Sequence, residues 1–383
     1  KGLKEKKGKT MLRRDFVSMG LASAALAGYA AKLPKKVSTA VAKADGGGDK
    51  RMRGPFPILS TPYHEDGSMD YESLKRGVRF TADSECPGVI WCQSNDAVDL
   101  LTFEEKVKGY EACAEAMQDV NCMMTFGCNG VDTAQMLRET EAVEQIAKKY
   151  PRTNIAIITR PPSTGKTLDD VRAYYEAQAK VAQRPVIIQT VVNNTCPSPT
   201  VDMLIDLARK HPKIFGYIKE ESGGAQANAN MIKENAAKPI IHTVFSAWGG
   251  WQWLYQSRRC GSEGLITERC AYAPLLGYIW KQMENNDRYG KLTLAYALFR
   301  LLIDQRDFPG GLRGYSLYYL QRQGVFKTTV SRVYQKSENK EQGMVAVGDT
   351  TKWKLHNFTL TDLQKAELDE CYDDMLRFVK ENS

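Results

Sequence analysis

The chain has 383 residues, 43% hydrophobic and 26% charged, with a formal net charge of +8. That is ordinary globular usage and excludes a collagen-like, low-complexity or wholly disordered chain. No run reaches about 18 uninterrupted apolar residues, so no membrane span is expected in the mature protein. The charge, which would otherwise point to nucleic acid, is confined to the start: residues 1–50 hold 12 Lys and Arg against 4 acids, and the other 333 residues hold 41 of each sign.

From Met11 the chain reads MLRRDFVSMGLASAALAGYAA, with A-x-A sites at Ala40–Ala42 and Ala42–Ala44. Two arginines, a short apolar run and small residues before a cleavage site make an export signal. The RRDF element resembles the twin-arginine address, which is read by a receptor and does not anchor. The expectation is an exported, periplasmic protein whose natural start is Met11. Residues 1–53 are read as leader and linker, the Gly-rich and charged stretch Lys43–Arg53 being the linker.

Beyond it, β-rich runs alternate with helical periodicity. In chain order the expected strand and helix pairs are Phe56–Tyr63 with Asp70–Ser84, Gly88–Ser94 with Phe103–Met117, Cys122–Gly130 with Asp132–Lys149, and Asn154–Pro161 with Leu168–Ala182. Then follow Pro185–Val191 with Pro199–Lys210, Ile214–Ser222 with Ala225–Ala236, Pro239–Ala247 with Gly249–Cys260, and Glu263–Arg269 with Ala271–Asn285. Eight such pairs in roughly 230 residues match an α/β fold of the (β/α)8 TIM-barrel type. An open doubly wound sheet competes, but the first turn, TPYHEDGS, lacks G-x-G-x-x-G. The barrel is assigned to 54–286. A C-terminal helical extension, 287–383, packs on it, with helices at Tyr289–Gln305, Gly311–Gly324 and Thr361–Lys380 and a loop insertion at Lys327–Lys354.

Nine cysteines form no C-x-x-C, and the four histidines are dispersed, so neither a zinc site nor another metal is expected. The cysteines are read as small buried hydrophobes. STGKT (Ser163–Thr167) ends like a phosphate loop, but Arg160 stands where the first glycine belongs.

A barrel of this kind places its chemistry at the C-terminal strand ends. Lys219 falls there on the sixth strand, with Tyr217 and Glu221 on the same face. A lysine desolvated inside the barrel is disfavoured as the ammonium, and the neutral amine can attack a carbonyl to form a Schiff base. The alternative is a lysine between strand and helix that snorkels to solvent.

Four segments carry a resemblance: Ser60–Leu74 (STPYHEDGSMDYESL), Leu100–Lys106 (LLTFEEK), His211–Gly223 (HPKIFGYIKEESG) and Gly261–Pro274 (GSEGLITERCAYAP). A weaker echo continues in Gln321–Arg332 and Leu360–Gln364. The region resembles the pyruvate-dependent class I aldolases that include dihydrodipicolinate synthase and N-acetylneuraminate lyase. The resemblance implies a Schiff base at Lys219, substrate contacts from Thr61 and Ile266, no organic cofactor, and assembly as a dimer or tetramer. It implies as substrate a small 2-keto acid or sugar acid, and neither nucleic acid nor membrane as partner. The departures fall at the site. Gln189 stands where the family relays protons through a tyrosine, and an amide cannot titrate. Tyr217 is named as the substitute catalytic group, with Tyr63 and Tyr272 behind it; each is also readable as a packed core tyrosine. The family's hydroxyl-rich carboxylate loop is replaced by Cys92–Asp99, where Ser94 and backbone amides remain. Arg160 is a candidate carboxylate clamp, and Gln189 and Glu221 complete the expected substrate contacts. Trp248, Trp251 and Trp253 are read as helix packing.

Two other function classes stay open. One is a degenerate barrel that binds a ligand or partner without catalysis. The other is a condensing synthase or keto-acid dehydratase using the same imine.

Overall fold

Eight short parallel strands follow one another around a ring. They are β1 (Gly54–Pro57), β2 (Gly88–Trp91), β3 (Met123–Gly127), β4 (Ile155–Thr159), β5 (Val186–Gln189), β6 (Tyr217–Lys219), β7 (Thr243–Ser246) and β8 (Gly264–Thr267). Each pairs with the next, β8 pairs back to β1, and a parallel bridge between Ile58 and Ile90 closes β1 on β2. The Leu59 N–H donates to Ile90 O at 2.8 Å across that seam. The sheet is therefore a (β/α)8 barrel and not an open doubly wound sheet. The computed structural model describes residues 49, 51–93, 98–192, 196–285, 290–303, 311–335 and 353–383, which lie in one compact unit, Ala44–Ser383. The segment read as a leader therefore lies outside the described residues.

The helices α1 (Tyr71–Asp83), α2 (Phe103–Ala116), α3 (Thr133–Lys149), α4 (Leu168–Val181), α5 (Val201–Lys210), α6 (Gly224–Ala236), α7 (Trp253–Arg259) and α8 (Ala273–Glu284) cross back between the strands. The first five start where the sequence places a short polar cap. Asp70, Thr102, Asp132, Thr167 and Thr200 each accept from the backbone N–H three residues on. Glu105 and Asp170 return the bond to Thr102 and Thr167. Each cap satisfies a donor that the helix cannot, and is worth about 1 kcal/mol.

Strand alternation divides the apolar residues into two cores. Phe56, Ile90, Met123, Ala156, Ile158, Ile187, Tyr217, Phe245 and Ile266 fill the barrel interior. Trp91, Phe126, Ile157, Ile188, Ile218, Val244 and Leu265 face outward into the helix layer. The outward core packs tightly: a Cβ at Gly109 of α2 would lie 2.0 Å from the Trp91 ring, so only a hydrogen fits there.

The stretch read as linker does more than connect. Met52 is buried in the barrel interior, and the Asp49 N–H donates to the Tyr217 hydroxyl at 2.7 Å. The chain before β1 thus closes the N-terminal end of the barrel. Beyond α8, helices α9 (Lys291–Ile303), α10 (Gly311–Arg322) and α11 (Asp362–Asn382) form the expected extension. It is pinned to the β8–α8 connection by aromatics: Tyr272 packs among Tyr315, Tyr319 and Tyr372, and the Tyr372 hydroxyl donates to Ala271 O at 2.7 Å. The segment expected as a loop, Lys327–Lys354, instead contains β9 (Val330–Tyr334), paired antiparallel with β10 (Trp353–Asn357). Arg332 on β9 is buried, which its charge disguises in the sequence, and it forks onto Glu105 with bonds of 2.6 and 2.8 Å.

Candidate active site

Lys219 is the last residue of β6, at the C-terminal mouth of the barrel, and only 2% of it is exposed. Its Nζ lies 3.0 Å from Glu221 Oε2. The snorkelling alternative therefore does not apply: the amine is inside and ion-paired. Register sets Gln189 on β5 directly opposite Lys219. The Gln189 amide donates to the same Glu221 Oε2 at 2.5 Å.

The amide contacts continue around the mouth. Gln189 Oε1 accepts from the Gln93 amide at 2.5 Å, and Gln93 Oε1 accepts from the Asn129 amide at 2.5 Å. Asn129 Oδ1 accepts from the Arg160 backbone N–H at 3.3 Å. One hydrogen-bonded chain so links the ends of β2 to β6. Buried amides are tolerated here because each finds a partner in the next. Gln93 and Asn129 were absent from the sequence prediction.

Glu268 and Arg269, just beyond β8, were also missed. Burial would raise the Glu268 carboxyl, but the Arg269 guanidinium, its own backbone N–H and the Lys219 ammonium hold it below the usual carboxylate range. Arg269 Nη1 is 3.4 Å from Glu268 Oε1. At the mouth the Lys219 amine is thus paired directly with one carboxylate, Glu221, and acts electrostatically on a second, Glu268. The TER triplet carried a usable signal: two opposite charges at the end of an apolar barrel strand.

The remaining predicted residues are dispersed. Thr61 is buried and accepts from the Trp91 indole N–H at 3.2 Å. Ile266 lies in the apolar interior. Arg160 is at the rim, its Nη2 4.0 Å from Asp99 Oδ2. Ser94 lies outside the described residues. Tyr217 shares the interior face with Lys219, as alternation requires, but it belongs to a lower layer. Its hydroxyl is bonded at the N-terminal end of the barrel. A strand rises about 3.3 Å per residue, so two residues separate the floor from the mouth. Tyr217 is therefore not at hand as a proton relay for Lys219. Tyr272 donates to Leu302 O at 3.2 Å within the aromatic cluster and is a core tyrosine. Trp253 is core and Trp251 packs against it, as expected. Trp248 departs from that reading: 49% exposed, it donates its indole N–H to Glu221 O at 3.2 Å and roofs Gly223.

Behind the mouth, Glu220 points away from the barrel interior and is buried with Glu234 of α6. Glu220 Oε1 accepts from the Ser222 N–H at 2.8 Å and from the Thr190 hydroxyl at 3.1 Å. Burial raises both carboxyls, and the Glu220 charge raises Glu234 further. All nine cysteines are free, eight of them buried. Among the described residues there is no group of three or more His, Cys, Asp or Glu able to hold a metal ion. No described helix is long and apolar enough to cross a membrane.

Comparison with known proteins sets this geometry among its relatives. A profile of the Dihydrodipicolinate synthetase family matches residues 51–303. The 4-hydroxy-tetrahydrodipicolinate synthase of Methanosphaerula palustris is 29% identical over 267 residues, covering 67% of this chain and 87% of that protein. The enzyme of the same description from Neisseria meningitidis serogroup C is 25% identical over 226 residues, covering 59% of this chain and 73% of that protein. Among solved structures, the sialic acid aldolase of Ruminococcus gnavus superposes with a TM-score of 0.67 at 13% identity, covering 87% of this chain and 99% of that one. A structure described as a putative dihydrodipicolinate synthetase from Pseudomonas aeruginosa gives 0.64 at 16%, covering 84% and 99%. At those identities the structural likeness speaks for the fold, while the profile spans most of the barrel and both of its ends. The chain belongs to the dihydrodipicolinate synthetase family, as a lyase and aldolase-type enzyme on a (β/α)8 barrel.

Proposed function

We propose that the enzyme forms an imine between Lys219 and a small 2-keto acid or sugar acid, and makes or breaks a carbon–carbon bond next to it. The cationic imine nitrogen is the electron sink for that step. The observation that carries this reading is Lys219 itself, buried at a strand end of the barrel mouth and 3.0 Å from the Glu221 carboxylate. Arg160 at the rim is suited to a second acidic group of the substrate, and Gln189 to its hydroxyls or carbonyl. The relatives' names, a synthase and a sialic acid aldolase, bracket condensation and cleavage.

The test is incubation with a panel of 2-keto acids and borohydride, followed by mass spectrometry. A reduced adduct on Lys219, absent in Lys219→Ala, supports the reading; an unmodified lysine with every acid refutes it. A specific observation favours a second reading, a binding barrel without turnover. The amides of the mouth are engaged with one another and not held open. Saturable binding of a keto acid with no adduct would favour it.

Two further parts of the proposal rest on the sequence. The leader directs export to the periplasm, which a reporter fused to residues 1–53 tests through Arg13→Lys and Arg14→Lys together. The enzyme assembles as a homo-oligomer, to which the exposed Leu294 and Leu301 on α9 are suited; light scattering measures it.

A further inference from the structure

Imine formation moves two protons from nitrogen to oxygen, so a lysine alone does not complete it. Among the described residues, the structure narrows what can carry them. The groups linked along the mouth at β2, β3 and β5 are the amides of Gln93, Asn129 and Gln189, none of which titrates. The Tyr217 hydroxyl is bonded to Asp49 at the opposite end of the barrel. Glu268 is engaged by Arg269 at 3.4 Å, which holds its carboxyl below the usual range and makes it the poorer base. Glu221 has an oxygen at 3.0 Å from the lysine nitrogen.

We propose that Glu221 is the proton-transfer residue of the Lys219 reaction, with Gln189 as the residue that positions it. The assignment rests on the imine reading above and gives Glu221 a role beyond substrate contact. Gln189 fixes the carboxylate by donating to Oε2 while Gln93 holds the other end of the amide. Trp248 fixes the Glu221 backbone through its carbonyl. Oε1 makes no hydrogen bond to a described residue, so it is available to the substrate oxygen.

The steps balance without a redox partner. The Glu221 carboxylate takes a proton from the Lys219 ammonium. The freed nitrogen lone pair adds to the substrate carbonyl carbon, a C–N bond forms, and the carbonyl π pair moves to oxygen. Glu221 gives its proton to that oxygen and takes a second one from nitrogen. It then protonates the hydroxyl, the C–O bond breaks, water leaves, and the nitrogen lone pair closes the cationic imine. Glu221 ends as it began, a carboxylate, and the Glu268 carboxylate favours the new cation electrostatically. Two carboxylates beside one lysine thus take different roles because their partners differ.

The experiment is the rate of borohydride-trapped adduct on the full chain, measured from pH 5 to 9 with a keto acid that labels the wild type. Glu221→Gln keeps the shape and the bond from Gln189, and should slow trapping by about 10²-fold and flatten its pH profile. Glu221→Ala should be slow and recover at least about tenfold on addition of formate, which a merely structural role would not allow. Glu221→Asp provides the charge on a shorter arm if Glu221→Gln does not fold, and should be slow but keep the pH-dependent limb. A folded Glu221→Gln that traps at the wild-type rate with the wild-type profile overturns the assignment and leaves the imine intact. Failure of every keto acid to label the wild type overturns the imine reading, and this assignment with it.

Discussion

Lys106 on α2 and Glu139 on α3 form a buried ion pair in the helix layer. Lys106 Nζ lies 2.7 Å from Glu139 Oε1, and the two side chains are 5% and 1% exposed. Among the described residues, the other bond to this carboxylate comes from the Gln135 amide at 3.2 Å, and Glu139 Oε2 has no hydrogen-bond partner. Burial opposes the charge on Lys106, yet the neighbouring Cys92 and Glu139 raise the ammonium above its ordinary range. Lys106→Met fills much the same volume and leaves the carboxylate buried with one weak donor. Breaking such a pair costs about 3–5 kcal/mol. Replacing both partners, as Lys106→Met with Glu139→Leu, removes the stranded charge and should restore stability to within about 1 kcal/mol or exceed it.

Urea midpoints with unchanged slopes measure both variants. A single variant costing under about 1 kcal/mol, or a double variant as unstable as the single, would refute the reasoning that this pair is desolvated and mutually dependent.

Three further outcomes follow from the packing and charges. Glu234 has its folded value raised well above the ordinary one by burial and by Glu220. Its contribution is complete below the ordinary glutamate range and is lost as pH rises, so the wild-type melting temperature should fall from pH 5 to 8 more steeply than that of Glu234→Gln. Tyr217→Phe deprives the Asp49 N–H of its acceptor; it should cost about 1 kcal/mol in urea and leave the rate of Lys219 trapping unchanged. Gly109→Ala drives a methyl to 2.0 Å from the Trp91 ring. Overpacking of about 1–3 kcal/mol or more, read in the melting temperature together with a shift in tryptophan emission, is the expected result.

What the sequence by itself determined is what short-range periodicity encodes. Val- and Ile-rich runs alternating with helical periodicity specify a parallel sheet with crossovers, since both periods are set by neighbours close in the chain. The position of Lys219 at a strand end, and the face it shares with Glu221, followed from period-two alternation. Alternation also put Tyr217 on that face, but it does not say which layer of the interior a side chain occupies or which way its tip turns. Tertiary structure decided that, by bringing the chain before β1 under the barrel to meet the hydroxyl.

Closure likewise decided the mouth. Gln93 is 96 residues from Gln189 and 36 from Asn129, so no local pattern pairs them. The two ends of the sequence region meet only when β8 returns to β1. That closure carries the Glu268 charge into the same mouth as Lys219. The antiparallel ribbon of β9 and β10 escaped for a related reason. Its polar residues read as loop until partners distant in the chain, Glu105 for Arg332 among them, satisfy them. Local chemistry wrote the elements and the lysine; contacts between remote strand ends set which groups stand beside it.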